Sequence, residues 1–422
     1  MISLIGLSTL HAEDFYWKGT STNINAASSW VGNNKPDFTG SAAENDVWNF
    51  NVTGSSPNIS SPNIRLAGFY FQPNSGAFNI SGNSPLDVYG FTVGSTTYAI
   101  YNNTANTQTF STNGAVKFHG SALTFETGTG KLLFSASTDF TQVQQMVFTG
   151  QGNTEFTGNV NVNSVRWQFS NSGVNDVRVA FNSAEELIID GGSTTTFHQN
   201  TSVNNSGTLV TNFSVAHFNS TFNSNKLTVD YGAKVYIGGN ASHNGGIDLK
   251  CGTLLLKSSN VIGNHNLNAM GGIFNLQGFS EGLNNLSLSV NSMVDFGSGA
   301  GANSLNFQGA GAFASGKMLT VMNWTSGDSF QVLNISNSKA QQVRFYGDYG
   351  VQGVGFYQAQ LNGNTLTPGN FLYATAPDMI NCVPVPVPEP STYIMGGALM
   401  IALTCFEWRR RRAQKSSPNV GA

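Results

Sequence analysis

The sequence predicts an all-β body of short stacked strands, on three observations. Short β-branched or aromatic segments recur roughly every 8–12 residues, separated by Asn, Gly and Ser turns. No helical period is visible between Glu13 and about Pro377. Proline is scarce in the middle of the chain, so strands there can pair on both edges. The spacing fits a sandwich, a barrel or a β-solenoid. Composition narrows the function classes. Of 422 residues only 10% are charged, against about 25% in an average soluble domain, while 40% are hydrophobic and 11% aromatic. That apolar mass excludes disorder. A net charge of −3 leaves no electrostatic footprint for nucleic acid. The 48 glycines keep no third-residue period, which excludes collagen.

The elements follow in order. Met1 to Ala12 is an apolar run ending in a small residue, as at the end of a secretory signal with cleavage after Ala12. Its positive n-region is missing, so the expected start lies upstream. The body spans 13–373. Its strand candidates include Ala115–Phe118, Leu123–Glu126, Lys131–Phe134, Met146–Phe148, Arg166–Phe169, Val177–Phe181, Leu187–Ile189, Leu227–Val229 and Lys234–Ile237. Each would send one Phe or Leu inward, with Asn and Gly at left-handed corners. A solenoid exposes an apolar layer at each end and needs caps. Trp17 to Phe50 and Trp324 to Tyr373, both rich in aromatics, are the candidates. Residues 374–387 read as a Pro-rich extended linker.

The stretch Gly246 to Phe307 is the most regular. It contains Gly252-Thr253-Leu254-Leu255-Leu256, Gly271-Gly272-Ile273-Phe274-Asn275-Leu276 and Met293-Val294-Asp295-Phe296-Gly297. It resembles autotransporter-associated β-strand repeats, and Tyr16–Gly19, Trp30 and Asp46–Phe50 resemble the start of such passenger regions. The resemblance implies a right-handed parallel β-helix. Cys251 stands where those repeats carry Gly or Ala, and is expected to be a small buried hydrophobe.

The C-terminus has three parts in a fixed order. Val387-Pro388-Glu389-Pro390 precedes an apolar stretch from Tyr393 to Phe406, and Arg409, Arg410, Arg411 and Arg412 follow. As a helix that stretch would rise about 21 Å, short of a hydrocarbon core of about 30 Å. The arginines would stay cytoplasmic. These 388–412 residues, with 413–422 as a cytoplasmic tail, resemble the PEP-CTERM sorting signal. The resemblance implies processing by an exosortase near Pro388-Glu389-Pro390, transient membrane attachment through a short C-terminal hydrophobic helix, and association with exopolysaccharide or biofilm surfaces. Without the tail's five basic residues, Glu389 and Glu407, the net charge is about −6.

Chemistry-bearing constellations are thin. Six histidines are dispersed, and His198 and His217 could be neighbours one coil apart. No third ligand accompanies them, so no metal site is expected, the histidines being read as solvent-facing. Glu185, Glu186 and Asp190 form the only dense acidic cluster. A glycosidase needs two carboxylates across a groove, and a lyase a base beside the sugar. Arg166 and Arg178 are the only cations near the cluster. No nucleophile elbow, phosphate loop or calcium nonapeptide occurs. The expectation is therefore an exported, non-enzymatic surface or matrix protein without catalytic residues or cofactors. The alternative is a carbohydrate-active β-helix enzyme, a polysaccharide lyase or hydrolase.

Overall fold

The computed structural model describes residues 14–36, 38, 46–61, 64–298 and 302–374. The chain divides into two units, Met1–Val383 and Pro384–Ala422, and every described residue belongs to the first. That unit is a β-solenoid of about 14 turns with almost no helix. The stretch from Ile64 to Asn240, which precedes the most regular repeats, follows the same path as those repeats.

Each turn contributes short strands to three faces. The first face runs through Asp14–Trp17, Val47–Phe50, Gly68–Phe71 and Leu227–Val229 to the end of Ser304–Phe313. The second runs through Thr107–Phe110, Lys131–Phe134, Asn153–Phe156 and Lys234–Ile237 to Val343–Asp348. The third carries the starts of Val116–Glu126, Phe181–Ile189 and Thr201–Val210, and ends at Ser329–Val332. Pairing is parallel and in register over a repeat of about 20 residues, as in Leu227, Ile247, Leu267 and Leu286. Alternation inside each strand sends every second side chain inward, so like residues stack. Phe110, Phe134 and Phe156 form one such row, with centroids 5.3 and 4.9 Å apart. Each fully buried Phe contributes roughly 1.5–3 kcal/mol.

One set of buried polar rungs closes on itself. Asn171 and Asn175 exchange hydrogen bonds of 2.9 Å, and Asn175 donates to Thr195 Oγ1 at 3.2 Å. An interior amide needs such a partner to be tolerated.

Two strand readings shift. Val177–Phe181 is not one strand. Val174–Val177 and Phe181–Ile189 flank a corner there, because inward-facing Asn175 continues the ladder of neutral polar rungs. The two short candidates at 115–126 are one strand, Val116–Glu126, whose register shifts between Lys117 and His119, next to Gly120 at φ 143°.

Cys251 is a further correction. It is half-buried rather than enclosed, sits at φ 37°, and is disulfide-bonded. The cause is its place at the corner after the first face, where Gly191, Asn212 and Tyr231 hold the same left-handed position in other turns. A side chain there points away from the core. The chain's two other cysteines, Cys382 and Cys405, lie outside the described residues.

Aromatic side chains close the first end. Trp30 packs edge-on against Trp17 and Trp48, at 5.0 and 5.3 Å, and donates from Nε1 to Ile24 O. At the other end the helical turn Asn337–Ala340, capped by Ser336, lays Lys339 Nζ on the carbonyls of Ala310 and Gly311. Strands Val354–Asn362 and Thr365–Tyr373 then pair antiparallel with Val343–Asp348 and Ser329–Val332. Those devices cover the open parallel edges.

Candidate functional site

Two outward constellations draw side chains from successive turns. The first is an ionic ladder on the second face. Glu155 and Asp176 occupy the same outward position one turn apart. Lys131 pairs with Glu155, and Arg178 Nε lies 3.1 Å from Glu155 Oε1. Arg178 also binds Asp176 Oδ2 through Nε and Nη2, at 2.9 and 2.8 Å. His198 Nε2 closes the ladder on Asp176 Oδ1 at 2.6 Å. Both carboxylates are thus occupied by cationic partners.

The second is an open cleft of about 490 Å³ on the first face. Its floor is an outward row on three consecutive turns, Asp248, Asn268 and Ser287. Asp248 is 7% exposed. Its Oδ2 takes Lys226 Nζ at 2.7 Å and its Oδ1 takes Asn268 Nδ2 at 2.8 Å. Met270 and Phe313 give the cleft apolar surface. The wall of Ala312, Phe313 and Ala314 stands because Ser304–Phe313 shifts register against Glu281–Val290 between Leu286 and Leu288. Such a bulge bends the strand out of the ladder. Gly311 permits the close approach, since a Cβ there would collide with Ser287 Oγ.

The acidic residues singled out in the sequence do not converge. Glu186 pairs with Arg166 at 2.6 Å, Glu185 accepts from Asn205 at 3.2 Å, and Asp190 accepts from Gly191 N and Asn212 at 2.6 Å each. His198 and His217 also part company. His217 stacks on Tyr236 at 4.5 Å and accepts from Lys257 Nζ at 3.2 Å. Burial, then the Lys257 charge, lowers its pKa. Among the described residues no group of three His, Cys, Asp or Glu could hold a metal ion.

One histidine is not solvent-facing. His243 is fully buried, and burial followed by the nearby His265 brings its pKa down to about 3 against the opposing pull of the Ser224 backbone. Its ring meets Phe222 edge-on at 4.9 Å. Glu281, also buried, accepts from the backbone N–H groups of Val261, Ile262 and Gly282, and burial outweighs them to raise its pKa.

Sequence reasoning missed the cleft residues. Their only signal is the motif Ile247-Asp248-Leu249, Leu267-Asn268-Ala269, Leu286-Ser287-Leu288, apolar–polar–apolar one turn apart. Ala12, Val387, Pro388, Glu389, Pro390 and Arg409 to Arg412 lie outside the described residues. No family model, no curated protein and no solved structure matches this chain.

Proposed function

We propose that the protein is an exported, non-enzymatic surface or matrix protein, sorted by an exosortase and associated with exopolysaccharide. The observation that carries this reading is the order Val387-Pro388-Glu389-Pro390, apolar stretch, Arg409–Arg412. The solenoid is compatible with it, a repetitive scaffold offering rows of Asn, Ser and Thr on its outward faces. In this reading the coil winds right-handed, as parallel crossovers do, and the C-terminal segment is a helix removed on sorting. Fractionation of the native host with C-terminal mass spectrometry tests it. The expected mature protein is at the surface and lacks Arg409–Arg412; recovery with those arginines attached overturns the sorting.

A second reading, a carbohydrate-active enzyme, draws on Glu155 and Asp176 beside Arg178. Against it, both carboxylates are held by cations, and the cleft contains one carboxylate, Asp248, where a glycosidase needs two. Release of reducing ends or unsaturated sugars from polysaccharide by the purified protein would establish the enzyme instead.

A further inference from the structure

We propose that the cleft at Lys226, Asp248, Asn268 and Ser287 is a subsite for a neutral polyhydroxylated glycan chain, with a vicinal diol received by the Lys226–Asp248 pair. The inference rests on the polysaccharide association proposed above and names where that contact is made.

The pair has the required hydrogen-bonding capacity. An ammonium carries three donors and an ionised carboxylate about four acceptor positions. Lys226 Nζ spends one donor on Asp248 Oδ2, and Asp248 accepts one further bond, from Asn268. Adjacent hydroxyls of one sugar can therefore donate to the carboxylate and accept from the ammonium together. Asp248 is held rigidly by both partners and is nine-tenths buried, so the acceptor is preorganised.

Charge selects the ligand class. Lys226 and Asp248 are the charged residues that line the cleft, and they cancel, while Lys339, with Nζ 5.9 Å from the Phe313 ring centroid, donates to the carbonyls of Ala310 and Gly311. An anionic uronate or phosphate would gain no net attraction there, whereas hydroxyls bind ionised groups without one. Met270 and Phe313 supply apolar surface for the carbon face of a sugar ring, the mixture that small-ligand sites use. The row repeats once per turn, at about 4.8 Å, so a chain lying along it meets Asp248, Asn268 and Ser287 in succession.

Affinity electrophoresis of the purified full chain through gels containing dextran, galactomannan or alginate tests the proposal. The expected result is retardation by a neutral polysaccharide and not by alginate. Lys226→Met and Asp248→Asn should each weaken it at least about tenfold, the loss of a hydrogen bond to a charged group. Lys226 is 42% exposed but partners a buried carboxylate, so far-UV circular dichroism is recorded for each variant and the one that keeps the wild-type spectrum decides the outcome. Neutral-glycan binding left intact in Lys226→Met overturns the site while sparing the association with polysaccharide. Preference for alginate overturns the neutral-ligand assignment. No retardation of the wild type in any gel overturns the subsite, while the sorting reading stands or falls separately on C-terminal mass spectrometry.

Discussion

The turns from Thr107 to Ile237 and those from Ala241 to Asp295 follow one backbone path but fill it differently. One inward row of the second face reads Phe110, Phe134, Phe156, Val177, Phe197, Phe218, and then Ile237 and Leu256. The aromatic turns stack rings, with Phe197 and Phe218 5.2 Å apart and nearly parallel. Their buried polar groups are all neutral, among them Gln108, Thr154, Asn175 and Thr195. The aliphatic turns bury His243, Asp248 and Glu281 instead. Parallel pairing fixes only the spacing and direction of side chains. Ring stacks satisfy that geometry without any charge, and the later turns satisfy it with smaller side chains and room for ionisable groups. The larger share of the acid sensitivity should therefore reside in the second region, at fully buried His243, with half-buried His217 adding a smaller share in the first.

The largest expected effect is a core truncation in the first. Phe134→Ala removes a ring stacked on both neighbours and should cost about 3–5 kcal/mol. Leu256→Ala, in the same row of the second region, should cost about 2–5 kcal/mol. Denaturant titration checks both, and a loss under about 1 kcal/mol for Phe134→Ala would break the picture of a ring-stacked core.

The second region also carries the tie at Cys251. Reduction should lower stability by about 2–4 kcal/mol. Peptide mapping without reductant should recover the Cys251 peptide joined to a second cysteine-containing peptide, and Cys251→Ser should abolish the link. A freely alkylated Cys251 in the native protein would contradict the bond.

Next comes pH. The folded pKa of His243 lies below its unfolded value of 6.5, so the unfolded state binds more protons between about pH 3 and 6.5. Stability is full above 6.5 and falls as pH drops through that window. At pH 5 the loss from this group is roughly 2 kcal/mol. His265 sits beside it and disfavours its charge. Glu281 acts in the opposite direction, because its raised pKa favours the folded state as pH falls. His243→Leu should flatten the acid limb between pH 7 and 5, and Glu281→Gln should steepen it. A slope unchanged by His243→Leu would move the acid sensitivity elsewhere.

The smallest effect concerns the shared corner. Gly191 adopts φ 67° in the first region, and a Cβ there would sit 2.5 Å from Ser170 O. Tyr231 adopts φ 43° at the same corner near the end of that region. Gly191→Ala should cost at least about 1 kcal/mol, whereas Tyr231→Gly should be neutral or stabilising by up to about 1 kcal/mol. Equal penalties would show that the corners are not equivalent.

Several strands were legible in the sequence because alternation is local. Lys131–Phe134, Arg166–Phe169 and Lys234–Ile237 have the bounds their patterns suggest. The caps were visible too, as clusters of Trp and Tyr at the ends of the body. Val177–Phe181 misled because its alternation crosses a corner, and a corner between turns leaves no period of its own. Cys251 misled because a cysteine inside an apolar-looking run gives no sign of whether its backbone is extended or left-handed.

By itself the sequence determined that the body is all-β, built of short strands with small or amide residues at the corners, since those properties depend on neighbours along the chain. Tertiary structure decided which residues meet. Lys226 reaches Asp248 and Glu155 shares Arg178 with Asp176 only because winding places residues one turn apart side by side. His243 is sealed inside only because its strand position faces the axis. Such neighbours are set by the register between turns, which a local pattern leaves open by one residue, and one residue exchanges the inside of a strand for the outside.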